Sequence, residues 1–266
     1  MTLPRGATQI PLSGGASEVL AEEVPVALVY DGVTQAVMMA TPSDLEDFVL
    51  GFALSEGLIE ARSEIVRTEI VPQLRGIEAR AWLAAPAGAR FKERRRATTG
   101  PVGCGLCGID SLEQALRPLP RAPRGGGARL APGAPARALA ALRAAQPLQD
   151  ATHAIHAAGF WSETGGLMLL REDVGRHNAL DKLAGALTHA GIAPADGALV
   201  MTSRISVDLV QKAVTLGARA LIAPSAPTAL AVAEARAAGL HLIARAPSTE
   251  TLIDYTAPER TEEDAA

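Results

Sequence analysis

The sequence predicts an α/β protein: a helix-flanked sheet in the C-terminal half, preceded by a smaller, strand-rich part. Three observations carry this. Between Leu167 and Ala244, short apolar runs alternate with helical stripes of about three turns, the pattern of right-handed crossovers and a largely parallel sheet. Between Val24 and Ala85 the runs are strand-like and separated by turn residues. Over 266 residues the chain is 48% hydrophobic and 20% charged, enough for a sizeable core, and with aromatics at 3% that core must be built from Ala, Leu, Val and Ile.

Taken in order, residues 1–20 are rich in Gly, Ser and Pro and read as frayed. Val24 to Tyr30 and Thr34 to Ala40 read as strands about a turn at Asp31-Gly32. The next segment is a helix, with Thr41 as cap, Pro42 in the first turn and Asp44 answering at the third position. Leu45, Phe48, Val49 and Phe52 form its buried stripe, and Gly57 ends it. Residues 64–85 read as two further strands. A basic run, FKERRR, then leads into the glycine-rich GPVGCGLCG, and residues 117–146 are dense in Pro, Ala, Arg and Gly, a connection running into a helix. The resulting division is 1–118 (strands, one marked helix and the cysteine loop), 119–148 (connection), 149–257 (α/β domain) and 258–266 (tail). In the α/β domain, strands are expected at 167–171, 198–202, 218–223 and 240–244. Helices are expected around Leu180–Leu187, at 206–216 and at 228–238, the last two stopped by Gly217 and Gly239.

The formal charge of -4 and pI near 5.8 give no footing for a nucleic-acid or membrane partner. No run approaches the roughly 18 apolar residues of a membrane helix, and the N-terminus does not read as a signal peptide, so the expected address is the cytoplasm.

In open α/β sheets ligands bind at the carboxyl ends of the strands. Glu172, Asp173, Gly175, Arg176, His177 and Asn178 follow the first of these strands; Thr202, Ser203, Arg204 and Ser206 the second; Ser225 the third; Arg245 the fourth. Arg176, Arg204 and Arg245, together with helix N-termini, suit a phosphate-bearing, nucleotide-like ligand. Asp173 and Ser206 suit helix capping equally well, and His177 alone says little. Neither GxGxxG nor GxxxxGK[ST] is present.

Cys104 and Cys107 are the chain's two cysteines, set in Gly103-Cys104-Gly105-Leu106-Cys107-Gly108. A thiolate is the reactive form, and Lys92, Arg94, Arg95 and Arg96 upstream favour it. Three chemistries compete: a persulfide carrier, a dithiol–disulfide pair and half of a zinc site. Zinc would need further ligands, and the sequence holds no second CxxC, no HxxxH and no HxE before the pair.

Five segments together resemble one family: TPSDLEDFVLGFALSEGLI at 41–59, CGLCG at 104–108, EDVGRHNALDKLAGAL at 172–187, SRISVDLVQKA at 203–213 and APSAPTALAVAEARAAGLHLI at 223–243. They resemble the formate dehydrogenase accessory sulfurtransferase family (FdhD/NarQ), over about Glu22 to Tyr255. The resemblance implies a mixed sheet flanked by helices, cytidine deaminase-like in the C-terminal half and without deaminase activity. It implies a sulfurtransferase that accepts persulfide sulfur from a cysteine desulfurase and delivers it to the molybdenum of a bis-guanine-dinucleotide cofactor, the bound substrate, destined for the formate dehydrogenase apo-enzyme. Cys104 would carry the sulfur and Cys107 assist. Ile243, Ala244, Arg245, Ala246, Pro247 and Ser248 would hold the cofactor, beside the strand-end residues Asp173, Arg176, His177, Ser203 and Arg204. No permanent metal is implied, and a homodimer is. A non-enzymatic cofactor chaperone and a thiol–disulfide oxidoreductase are the alternatives.

Overall fold

The structure is a computed structural model that describes residues 3–97, 118–123, 130–249 and 251–257, with side chains in the helix reaching residue 97 described as far as Phe91. Cys104 and Cys107 lie outside the described residues.

Among the described residues, the N-terminal part is a four-stranded sheet in the order β4-β3-β6-β5, made of β3 (Val24–Tyr30), β4 (Val33–Ala40), β5 (Ile65–Gln73) and β6 (Gly76–Leu83). The β3–β4 hairpin turns at Asp31 and Gly32, both at positive φ (49° and 77°), the mirror-image turn whose twist matches paired strands. Residues 7–21, read from sequence as frayed, instead pair as a hairpin of β1 (Ala7–Pro11) and β2 (Ser17–Ala21). Their alternation of polar and apolar residues was masked by the intervening Leu-Ser-Gly-Gly.

Helix α1 (Leu45–Ser55) covers this sheet with Phe48, Val49 and Phe52 among its buried residues. It begins later than the sequence predicts. Its N-cap is Asp44 in the left-handed region, and neither Thr41 nor Asp44 supplies a side-chain cap. Thr41 is wholly buried and engaged elsewhere: its Oγ1 accepts from Val174 N, its N–H donates to Asp173 Oδ2, and its carbonyl accepts from Lys182 Nζ. Tertiary contacts thus displace the local cap. After α2 (Ala85–Ala97) the described chain resumes at 118, where Ala122 N donates to Ala238 O.

The C-terminal part is a six-stranded sheet, β12-β11-β10-β9-β7-β8, comprising β7 (His156–Ser162), β8 (Gly166–Asp173), β9 (Ala198–Met201), β10 (Ala220–Ala223), β11 (His241–Arg245) and β12 (Leu252–Asp254). Strands β9, β10 and β11 are parallel, while β7 and β12 run against their neighbours, so the sheet is mixed. Side chains alternate between its faces. Ala157, Trp161, Val200 and Ile222 meet α3 (Ala134–Ala144) through Ala138 and Leu142. Ala158, Phe160, Leu199 and Leu221 meet α5 (Arg176–His189), α6 (Val207–Thr215) and α7 (Ala229–Ala238). The short α4 (Pro147–Thr152) links α3 to β7. No helix among the described residues is long and apolar enough to cross a membrane.

Helix α5 joins the two parts. It packs against α1 with two glycines at the crossing: a Cβ on Gly51 would collide with the Asp181 carbonyl, and one on Gly185 with the Asp47 carbonyl. This close approach explains why both positions must lack a side chain.

Candidate functional site

Strand direction fixes where the site lies. β7 is antiparallel to both β8 and β9, so β8 points the same way as β9, β10 and β11, and all four carboxyl ends reach one edge. The start of β7 reaches the same edge, with His156 opposite Asp173. A cavity of about 790 Å³ opens there, within the usual size range for small-molecule sites. Its polar lining includes Arg143, Gln146, His156, Thr202 and Arg245, and its apolar wall includes Leu139, Met201, Pro224 and Leu252. The roof is α3 and the turn that follows it.

The expected residues divide into three groups. Arg245 lines the cavity; its Nε donates to Pro224 O, and Tyr255 Oη donates to its carbonyl. Ile243 and Ala244 lie in β11, paired with Ile222 and Ala223; Ala246 is buried, its N–H bonded to Thr251 O; Pro247 and Ser248 are exposed in the turn to β12.

Arg176 and His177 open α5 beside this edge. Arg176 Nε and His177 Nε2 are buried and have no hydrogen-bond partner among the described residues. His177 Nε2 stands 3.8 Å from Asp208 Oδ2. Burial, with Arg176 and Lys212 nearby, brings the His177 pKa down to about 4, so the ring is neutral near pH 7. Burial and Arg176 also lower His156, against the pull of Asp173, while burial raises Asp208 despite its bond from Ser206. Ser203 is buried with its hydroxyl on the Arg204 carbonyl, and Arg204 is exposed.

Asp173 belongs to the frame. It is fully buried, 2.6 Å from Lys182 Nζ, and accepts from Thr41 N, Gly175 N and Asn178 Nδ2. Asn178 also donates to Met39 O, and burial lowers Lys182 more than Asp173 restores it. Further along α5, Asp181 accepts from Ser55 Oγ (2.6 Å) and Lys212 Nζ (2.9 Å). Burial raises Asp181; on Lys212 the opposing carboxylates Asp181 and Glu56 outweigh burial and raise its pKa. Glu172 accepts from Leu148 N and Gln149 N and so holds the start of α4; burial lifts its pKa against those bonds.

The helix expected at the end of residues 117–146 is present as α3, but its place as the roof of the cavity is not evident from the sequence. Gln146 and Arg143 fall where the composition reads as a connection, and β7 was not anticipated. The available signals were Leu139 and Leu142 at helical spacing and the apolar run from Ile155 to Trp161.

The arrangement offers guanidinium groups and two helix N-termini to an anion, an apolar wall to a planar group, and neutral imidazoles to a proton. Among the described residues, no three His, Cys, Asp or Glu side chains gather as a metal site requires.

Comparison with known proteins gives a consistent result. The family model described as the FdhD/NarQ family matches residues 21–262. A sulfur carrier protein FdhD of Agrobacterium fabrum is 50% identical over 223 residues, 84% of this chain and 82% of that one. One from Brucella abortus is 51% identical over 229 residues, 86% and 85% of the two chains. A crystal structure described as that of a candidate formate dehydrogenase accessory protein from Desulfotalea psychrophila superposes with a TM-score of 0.67 at 25% identity, covering 96% of each chain.

Proposed function

The chain belongs to the FdhD/NarQ family, and from that premise we propose that it is a sulfur carrier with sulfurtransferase activity, serving formate dehydrogenase. Its donor is a cysteine desulfurase. Its acceptor is the molybdenum of a bis-guanine-dinucleotide cofactor, which is bound as substrate and passed on to the apo-enzyme in the cytoplasm, with the carrier acting as a homodimer. The observation that carries this reading is the cavity of about 790 Å³ at the strand ends, with arginines in its wall, in a chain that also bears the CxxC pair.

In loading, the Cys104 thiolate attacks the outer sulfur of the donor's Cys–S–SH. A new S–S bond forms as the old one breaks, the donor leaves as thiolate, and Cys104 carries the persulfide. In unloading, the Cys107 thiolate attacks the inner sulfur of that persulfide. The outer sulfur departs as hydrosulfide to the metal, its two electrons drawn from Cys107, and the Cys104–Cys107 disulfide left behind is reopened by a thiol reductant. Arg245, with Arg176 and Arg204 beside the same edge, suits the pyrophosphates of the cofactor, and the apolar wall suits a guanine.

The test is to load the purified protein with a cysteine desulfurase and cysteine, then weigh it intact before and after reduction. A gain of one sulfur mass that vanishes with reductant and in Cys104→Ala supports the carrier. No gain, with guanine-nucleotide binding intact, replaces it with the cofactor chaperone.

A further inference from the structure

His156 begins β7, opposite Asp173 in the register, and lines the cavity with Thr202 and Arg245. Strands β9 and β10 lie between β7 and β11, so His156 and Arg245 stand three strand spacings apart along the edge, roughly 14 Å. Among the described residues the ring has one hydrogen-bonding contact, a long one of 3.4 Å between Nδ1 and Thr202 Oγ1. That hydroxyl accepts from Ala157 N and reaches the Ala157 carbonyl as donor, which leaves it a lone pair for an Nδ1–H. Nε2, which no described residue meets, is the ring atom open to the cavity.

The charges around the ring are unbalanced. From β8, Asp173 draws a proton towards it, but Lys182 holds that carboxylate, and Glu172 is taken up by Leu148 N and Gln149 N. From α5, Arg176 repels a proton, and the neighbouring His177 is neutral near pH 7. From the roof, Arg143 is paired with Asp150, and His153 lines the cavity from the turn before β7. Arg245 adds a second cation at the far end. An anion beside the ring reverses this balance. It answers Arg176, gives Nε2 an acceptor, and within about 4–6 Å favours the charged imidazole by about 1–3 pKa units.

We infer that His156 donates its Nε2–H to a phosphate oxygen of the ligand in the strand-end cavity and takes up one proton from solvent as that ligand enters. This rests on the reading of the cavity as a site for a phosphate-bearing ligand. The neutral ring becomes an imidazolium, with Nδ1–H towards Thr202 Oγ1 and Nε2–H towards the phosphate. The ligand keeps its charge, and the proton returns to solvent when the ligand leaves. Binding is therefore tied to pH, and release is easier as pH rises.

The probe is GDP-mannose, whose pyrophosphate is a diester and does not itself titrate near neutral pH. It is titrated by calorimetry into the full chain and into His156→Gln, from roughly pH 6 to 8, in pairs of buffers that differ in ionisation enthalpy. The native chain should bind roughly three- to tenfold more weakly for each pH unit gained, with close to one proton taken up near pH 7. His156→Gln, which keeps a donor but cannot titrate, should bind with the native chain's high-pH affinity throughout and take up none. A second reading needs no substitution at 156. Of the five histidines, His189 and His241 pair with carboxylates away from the cavity. In the ring-proton NMR of the native chain, one histidine should titrate higher with the probe than without it, and should still do so in His177→Asn and His153→Gln. Binding that is flat with pH, uptake that survives in His156→Gln, or a shifting ring lost in either of the last two variants overturns the inference and leaves the pocket standing. If the native chain does not bind the probe at any pH, both fall.

Discussion

The flank of α5 and its N-terminal end are only a few residues apart, yet they treat buried polar groups in opposite ways. Along the flank facing α1, each charge has an answer: Asp173 meets Lys182, Thr41 and Asn178, and Asp181 meets Lys212 and Ser55. At the strand-end edge, Arg176 Nε and His177 Nε2 are buried with no hydrogen-bond partner among the described residues. Arg219, at the start of β10, is the exception on the opposite edge. The contrast teaches that a closed polar network builds the joint between the two sheets, and that open valences gather at the edge where the proposed ligand would sit.

The largest effect is expected from opening the closed network. Lys182→Met removes the cation from a fully buried pair and leaves the Asp173 charge without compensation, which should cost about 3–5 kcal/mol in urea unfolding. A loss under about 1 kcal/mol would mean that the flank is no more closed than the edge. Next comes Gly51→Ala, which forces α1 and α5 apart because the new methyl meets the Asp181 carbonyl. A loss of about 3 kcal/mol is expected, towards the upper end for an overpacked core, and a neutral result would remove the crossing from the argument.

The smallest effect belongs to the edge and depends on pH. His177 titrates at about 4 in the folded chain against 6.5 ordinarily, so between those values the unfolded chain holds a proton that the folded chain refuses. The contribution is whole above pH 6.5 and is lost as pH falls towards 4, at most on the order of 2–3 kcal/mol. His156 is displaced in the same direction, whereas the raised carboxyls of Glu172 and Asp208 act oppositely. Comparing urea midpoints of the native chain and His177→Asn across this window isolates the histidine. Parallel curves would show that the ring is not held neutral.

Much of the frame is legible in the sequence because its signals are local. Asp31-Gly32 marks the β3–β4 turn, Gly217 and Gly239 stop α6 and α7, and Thr228 caps α7 through Ala231 N as its position suggests. The strand-end edge is legible too, since the order of strands and helices forces it. The start of α1 is not, because Thr41 is claimed by Asp173, Val174 and Lys182, residues more than a hundred positions away. Nor is the place of Asp173: a carboxylate at a strand end reads as cap or as ligand group alike until the lysine behind it is seen. The helix of the roof is legible, since residues 117–146 read as running into one, but its seat over the strand ends is not, because it depends on the unanticipated antiparallel β7.

The antiparallel course of β7 has a consequence for how the molecule would behave when occupied. Because β7 begins at the strand-end edge, the segment leading into it forms the roof, whereas the floor comes from the ends of β9 and β10 and from β11–β12; Arg143 and Arg245, which both line the cavity, are about a hundred residues apart in the chain. The roof is seated chiefly by two alanines and a leucine, a shallow grip that permits local opening. A molecule in the cavity rivets these distant stretches together, so filling it would shield the α3 segment from proteases and emptying it would offer that segment first.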